Sequence, residues 1–211
     1  MSNPTDWMKN EYDELVKKGF DWKPPVIGGP STGRAIIDNK ERIMLCANNY
    51  LSMSNHPKVK QAAIDAVKSH GAGSGSVRPI AGNMDIHNEL EETIARFKNR
   101  EAALYYQTGF AVNSGLIPQL AGKNDAIISD QLNHGSIIDG VRLSGVKKEN
   151  RTIYAHNDMG ELEDRLKEAT KNCEKTLVIS DGVFSMDGDI APLDQITKLA
   201  REYGAMTYID D

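Results

Sequence analysis

A chain of 211 residues with 39% hydrophobic and 26% charged side chains has the balance of a core-forming α/β domain, or of one domain plus part of another. Its net charge of -5, from 25 basic and 30 acidic residues without a long like-charge block, argues against a nucleic-acid surface. No apolar run reaches membrane-spanning length, and the polar stretch from Met1 to Asn10 lacks the apolar heart of a signal peptide. Two distant cysteines, Cys46 and Cys173, fit neither a disulfide framework nor a zinc site, so a reducing cytoplasm is expected.

Residues 5–19 have helical character ending at Gly19, and the Pro- and Gly-rich stretch 21–30 is a turn-rich arm. Arg42 to Cys46 reads as a short strand leading into the polar turn Asn48-Asn49-Tyr50. Pro57 suits a first helical turn, Val59, Ala62, Ala63, Ala66 and Val67 share a face, and Gly71 stops that helix. A helix near 85–98 is expected to bury Ile86, Leu90, Ile94 and Phe97, and to lead into a strand at Ala102 to Tyr106. Next come a helix from about Phe110 to Leu120, a strand Ala126 to Ser129, a helix near 135–144 and a strand Thr152 to Tyr154. Asp158 and Glu161 form a capping box for a helix carrying Leu162, Leu166 and Ala169. The apolar run Thr176 to Ser180 predicts a strand covered on both faces. A helix from Pro192 to Gly204 and a terminal strand Tyr208-Ile209-Asp210 complete an alternating pattern, which means a mostly parallel sheet between helices.

In such a sheet the chemistry belongs beyond the carboxyl ends of the strands. Gln107-Thr108-Gly109-Phe110 joins a strand to a helix N-terminus, where free N–H groups favour a phosphate, although a plain capped turn gives the same pattern. His134 stands at the next strand end, suited to stacking on a flat ring, to base chemistry, or to capping the following helix. The loop Asp181 to Asp189 is dense in carboxylates and hydroxyls. It lacks the alternating ligand spacing of a calcium loop, and Phe184 and Met186 indicate packing, so no metal is expected. Asp210, at the end of the terminal strand, calls for a cationic partner, either a nearby Lys or Arg or a protonated heterocyclic nitrogen. Phosphate anchor, stacking histidine and ring-nitrogen carboxylate together outline pyridoxal 5'-phosphate (PLP).

Four stretches carry a family resemblance: Ala47 to Leu51 before Ser54-Asn55-His56-Pro57; Gly73 to Arg78 with Gly82 and His87 to Glu91; Asp181 to Asp189 before Ala191-Pro192-Leu193; and Ile209-Asp210-Asp211. In this order they resemble the α-oxoamine synthases, PLP enzymes of the aspartate-aminotransferase fold (type I) that join an amino acid to an acyl-CoA. The resemblance implies that Thr108, Gly109 and Phe110 hold the cofactor phosphate. It places His134 on the ring, Ser185 near the ring hydroxyl with a histidine expected after Asp211, and Asp210 on the pyridine nitrogen. It implies catalytic roles for His134, Ser185 and Asp210, and turns Asn49 and Asp181 toward the substrate. It further implies a homodimer with interface active sites reached by the Gly73 to Arg78 loop, and a division into an arm and small-domain segment (1–50) and a large PLP-binding domain (51–211). His56, His70, His87 and His156 are read as structural or surface residues.

Ser52 replaces the glycine usual in the family's Asn-Tyr-Leu-Gly turn, a position a serine can occupy. The lysine that anchors the cofactor and the arginine that binds the substrate carboxylate are expected beyond Asp211, so the chain reads as the N-terminal half of a longer enzyme. Within the family, Ser76 to Ile80 before Gly82 favours condensation of glycine with acetyl-CoA to 2-amino-3-oxobutanoate, the glycine C-acetyltransferase branch. The alternative is the 8-amino-7-oxononanoate synthase branch, with alanine and a pimeloyl thioester, followed by serine palmitoyltransferase. A fragment that only dimerises is the non-enzymatic alternative.

Overall fold

The computed structural model describes residues 3–211 and separates into two compact units, Met1–Asn88 and Glu89–Asp211.

In the first unit, helix α1 (Asp6–Lys17) precedes a hairpin of β1 (Arg34–Ile37) and β2 (Lys40–Ile43). Ile37 pairs with Lys40 across the two-residue turn Asp38-Asn39, whose positive φ values of 48° and 63° match the twist of the flanking strands. The strand expected at Arg42 to Cys46 therefore ends earlier, and β1 was not foreseen. Helix α2 (Pro57–His70) has its expected bounds, capped by the His56 ring, which accepts from the Lys58 N–H, and stopped by Gly71 at φ 81°. None of its residues is buried. Ser52 has φ 54°, the left-handed geometry that explains a glycine in related turns.

Helix α3 (Asp85–Phe97) crosses the division between the units. It buries only Ala95; Leu90, Ile94 and Phe97 are exposed, Phe97 by 85%, so the core role expected for its apolar stripe is not met here. The strand expected at Ala102 to Tyr106 is also absent: that segment joins no ladder among the described residues. Strand propensity without a neighbour to satisfy the backbone does not make a strand.

The second unit holds α4 (Gly109–Leu120), β3 (Ala126–Asp130), α5 (Gly135–Leu143), β4 (Arg151–Tyr154), α6 (Met159–Asn172), β5 (Thr176–Asp181), α7 (Leu193–Glu202) and β6 (Met206–Asp210). The four strands run parallel in the order β4-β3-β5-β6. Strand alternation sends Ala126, Ile128 and Val178 into one core with Leu162, Leu166, Ile196 and Ala200. It sends Ile127, Leu177 and Ile179 into the other with Ile117 and Ile137. Every residue of β3 and β5 is buried, as the apolar run of β5 requires. Asp158 caps α6 by accepting from the Glu161 N–H at 2.9 Å, while the Glu161 carboxylate accepts from the Ala155 N–H at 2.8 Å. From β3 the chain turns to β4 on one side and returns to β5 on the other, making the carboxyl ends of β3 and β5 the topological switch point. No helix among the described residues is long and apolar enough to cross a membrane.

Candidate active site

Asp130, Asp181 and Asp210 terminate three neighbouring strands, and the loops that follow are cross-braced by buried polar side chains. Asn133, which the sequence did not single out, joins β3 to β5. Its amide nitrogen donates to Ser129 Oγ and to the Ile179 carbonyl, each at 2.9 Å, and its Oδ1 accepts from the Asp181 N–H at 2.8 Å. The next residue, His134, donates its backbone N–H to Asp181 Oδ2 at 2.7 Å. Its exposed ring caps α5, with Nδ1 accepting from the Ser136 N–H at 3.2 Å. Burial pushes the Asp181 carboxyl above the usual range, and the nearby charges of Asp210 and Asp130 push the same way against the His134 hydrogen bond.

A second unforeseen residue, Asn113 on α4, stands at the centre of the network. It is 1% exposed, accepts from the Tyr208 hydroxyl at 2.6 Å, and donates to Asp210 Oδ2 at 2.8 Å and to Ser136 Oγ at 2.9 Å. Ser136 Oγ in turn lies 2.7 Å from His134 Nδ1. The available signal was local: an amide in a largely apolar helical stretch, Phe110 to Ile117, must find partners if it is buried.

His134, Asp181 and Asp210 are thus linked in one network. Thr108 caps α4 by accepting from the Ala111 N–H at 3.0 Å, which leaves the first-turn amides of Gly109 and Phe110 without intrahelical carbonyls. Ser185 is exposed on the loop after β5 and makes no hydrogen bond to the other site residues. Asn49 belongs to the first unit, where it donates to the Ser31 carbonyl at 2.8 Å and accepts from the Ser54 N–H at 3.2 Å. His156 bridges Asp130 (2.9 Å) and Asp189 (2.7 Å), with its ring edge-on to Phe184. Among the described residues no group of three or more His, Cys, Asp or Glu side chains is placed to hold a metal ion.

Asp210 is half-buried, and among the described residues its carboxylate is hydrogen-bonded by the neutral amide of Asn113 alone, whereas Lys98 pairs with Asp211 at 2.7 Å. Two carboxylates, Asp181 and Asp210, therefore end adjacent strands, with no cationic side chain bonded to either among the described residues. Carboxylates without a cationic partner suit a compact organic cation.

Residues 40–211 match the family described as aminotransferase class I and II. Among curated proteins, the chain is 51% identical over 205 residues to an 8-amino-7-oxononanoate synthase of Alkaliphilus metalliredigens, covering 97% of this chain and 51% of the relative. It is 52% identical to the protein of that name from Thermoanaerobacter pseudethanolicus, covering 98% of this chain and 51% of the relative. The chain spans about half the length of the curated relatives it matches. Among solved structures, it is similar to a serine palmitoyltransferase from S. paucimobilis with a bound PLP–myriocin aldimine, with TM-score 0.86 and 31% identity over 97% of this chain and 51% of that one. It is also similar to an 8-amino-7-oxononanoate synthase from Francisella tularensis, with TM-score 0.63 and 27% identity over 77% of this chain and 43% of that one.

Proposed function

The chain belongs to the class I and II aminotransferase family, in its α-oxoamine synthase branch, and on that premise we propose that the whole protein is a PLP-dependent C-acyltransferase. Its substrates in this reading are alanine and a pimeloyl thioester, and its product is 8-amino-7-oxononanoate, an intermediate on the way to biotin.

The observation that carries the cofactor is Asp210, a half-buried carboxylate at the carboxyl end of β6 without a cationic side-chain partner among the described residues. PLP, when bound, supplies a protonated pyridine ring that draws electrons from the α-carbon of an amino acid. The Asp210 carboxylate would hold the proton at the pyridine nitrogen, because separating that charge pair at a half-buried carboxylate is costly. The open amides of Gly109 and Phe110, with Thr108 fixing the helix start, bind the phosphate at the positive end of α4. In this reading His134 would lie against the ring and Ser185 near its hydroxyl, while Asn49 and Asp181 would serve the amino-acid substrate. The division into residues 1–50 and 51–211, and a homodimer, belong to the same proposal. Cys46 and Cys173 are both free thiols, which fits a cytoplasmic location.

The names of the relatives favour the pimeloyl branch over the acetyl-CoA branch suggested by Ser76 to Ile80. That stretch has local work of its own, which weakens it as a guide to acyl length. Residues Arg78–Gly82 form a single π-type turn on the Val77 carbonyl, and the Arg78 guanidinium bonds Asn83 Oδ1. A Cβ at Gly82 would lie 1.9 Å from the Ser76 carbonyl oxygen, so backbone crowding alone demands the glycine.

The deciding experiment supplies PLP to the polypeptide at the relatives' full length and offers alanine or glycine with pimeloyl or acetyl thioesters, following release of the thiol. Turnover with alanine and the pimeloyl thioester is expected. Turnover confined to glycine and acetyl-CoA would restore the other branch.

A further inference from the structure

We propose that Asn113 is the positioning residue of this site, one amide that orients Asp210 and, through Ser136, holds the imidazole proton of His134 on Nε2.

A backbone N–H only donates, so the 3.2 Å contact from the Ser136 N–H requires a lone pair on His134 Nδ1. The Ser136 hydroxyl, 2.7 Å from the same nitrogen, either donates to it or accepts from it. With no hydrogen on Nδ1, the hydroxyl is the donor, and Asn113 reinforces that orientation: its Nδ2 donates to Ser136 Oγ at 2.9 Å, which occupies an oxygen lone pair and leaves the hydroxyl hydrogen aimed at Nδ1.

The orientation of Asn113 is itself determined. Asp210 Oδ2, 2.8 Å away, accepts and must face the NH₂ group. On the other side, the Tyr208 hydroxyl is 2.6 Å from Asn113 Oδ1 and donates to it. Burial, then the charge of Asp210, pushes that phenol up to about 12, so it keeps its proton. A flipped amide would set its oxygen against the carboxylate and its NH₂ against the Tyr208 O–H. Both Nδ2 hydrogens are therefore committed, one to each branch of the site, on a side chain 1% exposed.

One consequence rests on the PLP reading. With a lone pair on Nδ1 the imidazole is uncharged, and it can lie against a protonated pyridine ring without like-charge repulsion. Its Nε2–H has no partner among the described residues and remains free to donate outward.

The test reads nitrogen protonation directly, in protein with ¹⁵N-labelled histidine and no cofactor. Long-range ¹H–¹⁵N correlations of His134 are expected to show a protonated Nε2 and an unprotonated Nδ1. Ser136→Ala cuts the branch to His134 but spares the one to Asp210, so it should shift the ring nitrogens and leave the Asp210 carboxyl ¹³C signal in place. Asn113→Ala should move both. A proton on Nδ1 in the parent protein, or ring nitrogens unmoved by Ser136→Ala, overturns the proposal, and the milder Ser136→Ala variant keeps the test decisive if Asn113→Ala does not fold. PLP titration followed by absorbance forms a separate arm. Asn113→Ala should weaken binding about tenfold, as loss of a hydrogen bond to a charged group predicts. If the parent polypeptide at the relatives' full length binds no PLP while the nitrogen pattern holds, the relay stands and the cofactor reading falls.

Discussion

His156 lies between a carboxylate buried at the end of β3 and another on the loop that carries Ser185. Nδ1 is 2.9 Å from Asp130 Oδ1 and Nε2 is 2.7 Å from Asp189 Oδ2. Desolvation is the largest single influence on the ring and opposes its charge, but the hydrogen bonds and charges of Asp130 and Asp189 together outweigh it and raise the His156 pKa. The hydrogen bond from His156 is the main reason the Asp189 carboxyl falls below its ordinary value. A raised histidine contributes stability that is complete below its unfolded value, about 6.5, and is lost as pH rises through the folded value. A lowered carboxyl contributes above its unfolded value, about 3.9, and that contribution is lost as pH falls through the folded value. Both contributions coexist between roughly pH 4 and 6.5. The urea-midpoint difference between the parent and His156→Gln should therefore peak in that window and shrink toward alkaline pH. A difference that grows above pH 8 would contradict the ion-pair account.

At the level of elements, the packing of α4 on α5 sets the geometry of the Asn113 network. Gly140 on α5 lies so close to α4 that an added Cβ would be 2.4 Å from the Asn113 carbonyl oxygen and 2.9 Å from Ile117 Cδ1. The first contact is with backbone and cannot yield by a rotamer change. Gly140→Ala should separate the helices and destabilise the protein by about 1–3 kcal/mol, the usual range for overpacking, as read from the urea midpoint. An unchanged midpoint would show that the two helices slide freely. Elements with chemical punctuation were the legible ones: Pro57 and Gly71 bound α2, Asp158 caps α6, and the apolar run of β5 announced burial on both faces. What escaped depended on partners. The β1–β2 hairpin announces itself only through Asp38-Asn39, two left-handed residues between strands of four, too short for a periodic signal. Residues 102–106 have strand composition but no neighbouring strand, and the stripe on α3 has no core under it. His134 and Asp210 were identifiable as strand-end groups, while Asn113 was not, since its decisive partner is 97 residues away.

Across the whole chain, burial is very unequal between the two units, and stability should follow it. In Met1–Asn88, Ala35 is the one buried apolar residue among those described, and α1 and α2 bury none of theirs. In Glu89–Asp211, Ile127, Ile128, Leu177, Val178 and Ile179 are at most 1% exposed, and side chains of that size stabilise by roughly 1.5–3 kcal/mol each when fully buried. Isolated helices of 12 and 14 residues are marginal in water, so without tertiary cover α1 and α2 should open and close nearly independently of the sheet. Native-state hydrogen exchange is expected to report this as strong protection of β3 and β5 amides and little protection across α1 and α2. The same experiment bears on the homodimer, because exposed apolar residues such as Tyr12 and Leu15 on α1 and Val59 and Val67 on α2 are what a partner would cover. Protection of α2 equal to that of β5, rising with protein concentration, would mean that association supplies the missing cover. Equal protection that ignores concentration would mean that the first unit is stabilised from within, against the burial seen here.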